Sequence, residues 1–177
     1  MFILVYAVKA IQLTRIYIMN KCLLTRENIE AFEGIEKTHF LNPKAQRVNK
    51  SLGDLTGLTG IGVHLIEVQP GMLTTEFHRH YFEDECVYIL EGTAEARIGK
   101  HYYSVSAGDF IGYKAGGEAH SLLNTGHTVL KCLVIGQRLP HDVADYPDLG
   151  KRIYRNQEMA WNLVDISKIE MPDAGKK

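Results

Sequence analysis

From Ile61 onward the chain is built of short runs in which apolar and polar positions alternate, each run stopping at a glycine, a proline or a polar turn. The run 85–91 shows the pattern: Glu85, Val87 and Ile89 fall on one side, Cys86, Tyr88 and Leu90 on the other, and Gly92 ends it. A period of two is the signature of a strand. The same reading predicts strands at 61–69, 74–80, 85–91, 94–98, 101–105, 110–113, 119–124 and 128–136. Turns fall at Pro70-Gly71, Glu91-Gly92, Gly99-Lys100, Gly108-Asp109 and Thr125-Gly126. Many short strands at even spacing predict an all-β sandwich or barrel.

Outside that stretch the pattern changes. Residues 25–37 predict one short helix, with Thr25 as N-cap and Glu27 in the first turn. After Pro43 the chain is polar through Leu52 and then passes Gly53, Gly57 and Gly60, a loop-rich approach to the barrel. Three parts are expected: an N-terminal extension at 1–60, a barrel at 61–137, and a C-terminal extension at 138–177. The last part is rich in charge and proline, yet Tyr146, Tyr154 and Trp161 argue that it docks on the barrel or on a partner subunit. The first eighteen residues are apolar but interrupted by Lys9 and Arg15, too short for a comfortable membrane span and without a basic start. The expectation is that the native protein starts at Met19 and is cytoplasmic.

Composition narrows the classes. At 177 residues with 45% hydrophobic and 23% charged content, one soluble domain with a useful core is expected. A formal net charge of −1 gives no support for a nucleic-acid partner or an anionic membrane surface. Three cysteines, Cys22, Cys86 and Cys132, lack any CxxC spacing, which fits a reducing compartment better than a disulfide framework.

The candidate chemistry lies in His78, His80, Glu85 and His120. Alternation puts His78 and His80 on one face of a strand, where both can grip one ion. A turn over 81–84 lets Glu85 open the next strand, and His120 arrives from a third, after the loop 114–119. Imidazole suits zinc, copper, iron and nickel, and the carboxylate widens the choice toward manganese. The other histidines, His39, His64, His101, His127 and His141, read as surface or satisfied core residues, and Glu83 and Asp84 as a solvated turn. Cys86 faces away from Glu85. Glu76, Tyr113 and Lys114 are candidate helpers by position, whereas Glu95 and Arg97 alternate with inward residues and read as solvated.

Two segments resemble the motifs of the cupin superfamily. The first reads Gly71-MLTTEF-His78-Arg-His80-YFED-Glu85-CVYILE-Gly92, with one residue more after its first glycine than that motif has. The second reads Gly108-DFIGY-Lys114-Ala-Gly116-GEA-His120-SLL-Asn124, with lysine in place of a proline and one extra residue before the histidine. Losing that proline removes a fixed φ from the loop leading to His120. The resemblance implies a double-stranded β-helix (jelly-roll) barrel and one divalent ion, manganese, iron, zinc or nickel, on His78, His80, Glu85 and His120. It also implies a homodimer. The segments Gln137 to Asp142 and Tyr146 to Asp148 resemble those of small single-barrel bacterial cupins, for which sugar-phosphate isomerase is the label offered. Three classes of function remain: a metal-dependent isomerase, dioxygenase or lyase acting on a small polar metabolite, a non-catalytic module that binds a sugar-like molecule, and, disfavoured, a storage or structural barrel. Nothing before residue 61 has the pattern of a DNA-binding helix-turn-helix. An isomerase of phosphorylated sugars wants a basic cluster at the barrel mouth, and Arg79, Arg97 and Lys114 do not make one.

Overall fold

Strands dominate the computed structural model, which describes residues 22–173 and 175. In chain order they are β1 (Ile35–His39), β2 (Asn42–Ser51), β3 (Ile61–Val68), β4 (Arg79–His80), β5 (Glu85–Glu91), β6 (Thr93–Ile98) and β7 (His101–Ser106). They continue with β8 (Phe110–Tyr113), β9 (His120–Leu123), β10 (Leu130–Gln137), β11 (His141–Tyr146), β12 (Lys151–Asn156) and β13 (Asn162–Asp165). Two short helices, α1 (Arg26–Ala31) and α2 (Leu52–Thr56), flank β1 and β2. The strands form three antiparallel sheets, ordered β1-β2-β3-β10-β5-β8, β13-β12-β11-β4 and β7-β6-β9. This is the all-β, jelly-roll arrangement expected from the alternation. The expectation about residues 1–18 falls outside the described residues. No helix among the described residues is long and apolar enough to cross a membrane.

The predicted helix at 25–37 is shorter than its sequence signal. Thr25 caps it, with its hydroxyl accepting from Asn28 N while Asn28 Oδ1 accepts from Thr25 N at 2.9 Å. The helix buries none of its residues, so nothing extends it, and β1 begins at Ile35. The predicted strand at 74–80 reduces to Arg79–His80. Its first part runs irregularly between two walls, with Leu73 N on Lys44 O at 3.0 Å and Thr74 N on Leu122 O at 2.9 Å.

Alternation packs the six-stranded sheet against the three-stranded one. Val68, Ile89, Leu130 and Cys132 are fully buried and join Ala94, Ala96 and Leu122 from the facing sheet in one cluster. Gly92 turns β5 into β6 with φ 90°, and a Cβ there would stand 3.1 Å from the Leu130 backbone, so any other residue would strain the turn and push on the core. Ile89→Ala is expected to cost about 2–5 kcal/mol by leaving a cavity at the centre of this cluster. Urea denaturation of the two proteins measures it.

The C-terminal strands join the barrel strands through β4. β11 pairs with β4 through Ala144↔His80 and Asp145↔Arg79. Around this pairing the Asp145 carboxylate accepts from Tyr81 Oη at 2.7 Å, Arg152 Nε at 2.6 Å and an Arg79 nitrogen at 3.2 Å. The consequence is positional: β4 carries His80, and its neighbour β11 carries Asp142.

Candidate metal centre

His78 and His120 face each other across a backbone bridge, with His120 N on His78 O at 2.7 Å and His78 N on His120 O at 3.1 Å. His80 follows on β4, and Glu85 opens β5. The loop before His120 lacks the motif's proline but is held by hydrogen bonds instead. Ala115 N donates to Asp84 Oδ1 at 2.6 Å and Gly116 N to His80 O at 2.9 Å, with Gly116 at φ 67°. The structure thus brings together all four residues singled out in the sequence.

Their geometry turns the same edge of each ring inward. His78 Nδ1 donates to Glu76 O at 2.8 Å and His80 Nδ1 to Asp142 Oδ2 at 2.7 Å, while His120 Nδ1 is 3.4 Å from Glu118 O. Occupying Nδ1 leaves the Nε2 lone pairs free to ligate. Those atoms converge: His78 Nε2 and His80 Nε2 are 3.1 Å apart, and His120 Nε2 is 3.5 Å from Glu85 Oε1. His120 Nε2 is buried and has no hydrogen-bond partner among the described residues. A buried, orphaned imidazole nitrogen beside two others and a carboxylate is what a divalent cation satisfies. Ligand atoms of His78, His80 and Glu85 lie within 4.8 Å of one another.

The electrostatics agree. Burial, and next to it His120, lowers the His78 pKa to about 3, so its ring is neutral and ready to ligate at neutral pH. Burial alone pushes the Glu85 carboxyl up, but the imidazoles of His120, at 3.5 Å, and of His78 and His80 overcome it and bring it to about 2. Tyr113 stacks flat on the His120 ring, centroids 3.5 Å apart and planes 4° from parallel, which fixes the ring's orientation. Its buried hydroxyl has no partner.

Several residues stand elsewhere than the sequence suggested. Glu76 is buried, as alternation implied, but its carboxylate is taken by Asn42 Nδ2 at 2.6 Å and Phe77 N at 3.0 Å. It is a brace for the His78 loop. Glu83 is no solvated turn residue: it is 6% exposed and accepts from Leu139 N at 2.8 Å and from Arg155. Arg97 is not solvated either; its guanidinium lies 3.5 Å from the Phe77 ring centroid and pairs with Asp148. Lys114 is exposed and outside the cavity that holds the histidines.

That cavity, about 940 Å³, was not legible in the barrel motifs. His78, His80 and Glu85 lie in its wall with Lys37, Arg47, His64, Arg138, Arg155 and Trp161. Arg155 bonds Asp142 at 2.5 Å and Glu83, so Asp142, the partner of His80, is itself held by an arginine from β12. Asp142 and Arg155 were missed because they lie in the C-terminal stretch, whose charges read as surface. The Gln137 to Asp142 segment was the signal that pointed there.

Comparison with known proteins places these features. Residues 64–136 match the family model described as "Cupin domain". The chain is 48% identical to a protein of Acidithiobacillus ferrooxidans described as a "putative sugar phosphate isomerase", over 86% of this chain and 97% of that one, with a TM-score of 0.83. A protein of Silicibacter pomeroyi described as a sugar phosphate isomerase from a cupin superfamily shares the fold at 23% identity and a TM-score of 0.72, over 85% of this chain and 96% of that one. No curated protein matches the chain.

Proposed function

The chain belongs to the cupin family, and on that premise we propose that it is a metal-dependent isomerase of a phosphorylated sugar. The observation that carries the metal is the convergence of three Nε2 atoms and Glu85, with His120 Nε2 orphaned. The support for the substrate class is the 48% identity to a protein of that description, together with a cavity large enough for a small metabolite whose wall holds four cationic side chains.

In this reading His78, His80, His120 and Glu85 hold one divalent ion, and the protein adds the frame. Glu76 O and Asp142 fix the His78 and His80 rings, Tyr113 fixes His120, and Arg155 keeps Asp142 ionised. The ion would supply Lewis-acid polarisation of a substrate oxygen. Moving a proton between adjacent carbons of a sugar then requires a site that admits the substrate and restricts water. The cavity, with core residues Ile66 and Val87 in its wall beside His78 and His80, would take such a substrate.

Two measurements test this. The purified protein, prepared without chelators, should carry about one equivalent of a divalent ion by plasma mass spectrometry. Incubated in deuterium oxide with pentose and hexose phosphates, it should place solvent deuterium on the carbon beside the carbonyl, and His78→Ala should not. Metal-loaded protein that binds these sugars and never exchanges a proton would point to a binding module instead. Failure of any of them to bind would sink the isomerase reading.

A smaller effect is expected from Asp142→Asn. The amide can no longer serve as a charged acceptor for His80 Nδ1–H, and removing such an outer partner weakens metal binding about 10- to 100-fold. Competition with a chromogenic chelator reads this directly.

A further inference from the structure

The cationic side chains of the cavity are not equivalent. Arg155 is matched by Glu83 and Asp142, and Arg138 by Asp54 at 2.5 Å. Lys37 and Arg47 form no ion pair among the described residues, although both line the cavity. They sit opposite each other across β1 and β2, so their side chains share one face of the sheet. Arg47 is half-buried, donates to Thr74 O in the loop that leads to His78, and feels the Glu85 carboxylate, which counters the lowering of its pKa by burial.

His64 belongs to the same group. Asn49 Nδ2 lies 3.3 Å from His64 Nδ1, and as the amide nitrogen can only donate, the ring hydrogen is on Nε2. That Nε2–H and the Arg138 guanidinium meet over Gly62, where a Cβ would lie 2.9 Å from His64 Nε2 and 3.1 Å from Arg138 Nε. Glycine at this point lets both donor side chains lie close over the strand backbone. Burial lowers the His64 pKa, and Arg138, Lys37 and Arg47 lower it further, the mark of shared positive potential. A partly desolvated guanidinium without a carboxylate is costly unless a ligand brings the negative charge.

We propose that Lys37, Arg47, His64 and Arg138 form the anion subsite of this cavity, which holds the phosphate monoester of the substrate while its sugar end lies against the imidazole cluster. Arginine offers planar, paired donors suited to phosphate, and two unpaired cations match a dianion. The proposal rests on the sugar-phosphate reading for the rest of the substrate, but the subsite can be tested without it. These residues set specificity rather than chemistry.

Trp161, the single tryptophan, lines the cavity, so its fluorescence reports occupancy. Titration with inorganic phosphate, at ionic strength held constant with chloride, should saturate in the wild type. Arg47→Gln should weaken phosphate about tenfold or more, as expected for losing a charged hydrogen-bond donor. Lys37→Gln, on the exposed strand β1, should weaken it without risk to the fold, and Gly62→Ala should weaken it by pushing the His64 and Arg138 side chains out of place while keeping every charge. A pentose or hexose phosphate should bind more tightly than inorganic phosphate, and the unphosphorylated sugar more weakly than its phosphate. His78→Ala should lose metal and keep phosphate affinity, which separates this subsite from the metal reading. Phosphate binding that is absent in the wild type, or unchanged in both Arg47→Gln and Lys37→Gln, overturns the proposal.

Discussion

Arg155→Met is expected to destabilise the protein by about 3–5 kcal/mol, the usual loss when one partner of a buried charge pair is removed. The argument is in what the arginine leaves behind. Asp142 is 1% exposed and Glu83 6%, and Arg155 bonds both. Methionine fills similar volume but leaves two buried carboxylates without the guanidinium between them. Urea denaturation at neutral pH measures the loss, and a change below about 1 kcal/mol would mean that the carboxylates find water or neutralise at no cost. Adding Asp142→Asn and Glu83→Gln to Arg155→Met should recover much of it, since the uncompensated charges are then gone.

The pH dependence has a definite sign. Burial pushes the Asp142 carboxyl up, but hydrogen bonds from His80 and Arg155 hold it well below the usual carboxylate range. A carboxyl with a folded pKa below its unfolded value of about 3.9 adds stability above that value, and the contribution fades as pH falls toward the folded pKa. In Arg155→Met one of the lowering influences is gone, so the decline in stability below about pH 4 should be shallower than in the wild type.

His120→Ala is expected to lower divalent-metal affinity about 100- to 1000-fold. Apparent binding free energies of structural four-ligand sites are about 10–16 kcal/mol, so one ligand accounts for about 3–4 kcal/mol. His120 is 3% exposed and its Nε2 has no hydrogen-bond partner among the described residues, so its removal breaks no hydrogen bond made by that atom. The backbone bonds to His78 are retained, and the fold should survive, with unchanged circular dichroism. His101→Ala, on exposed β7, should keep its metal. Full metal occupancy in both variants would remove the site from consideration.

What could be read from the sequence divides along a physical line. Where one strand face packs against core, alternation is visible: 85–91 and 110–113 coincide with β5 and β8, and 61–69 and 128–136 fall within a residue or two of β3 and β10. β2 was invisible because its inward positions, Arg47 and Asn49, face a polar cavity, so no hydrophobic period exists over 42–51. β11 was missed for a related reason: Asp142 and Asp145 are inside, satisfied by arginines that sequence spacing cannot pair with them. The cationic side chains on the cavity wall are instead Lys37 and Arg47, from the paired strands β1 and β2, and Arg138 and Arg155, about a hundred residues later. The ligand quartet was legible because His-x-His and the glycines around it encode local geometry, with Gly71, Gly92, Gly108 and Gly116 all at positive φ.

The bond from His80 to Asp142 spans 62 residues, and Arg155 lies 13 residues beyond Asp142. During synthesis the strands that carry the four imidazole and carboxylate ligands leave the ribosome before the segment that orients one of them. A nascent chain therefore carries the four side chains before it carries Asp142 and Arg155, and the His80 ring gains its outer partner only when β11 pairs with β4.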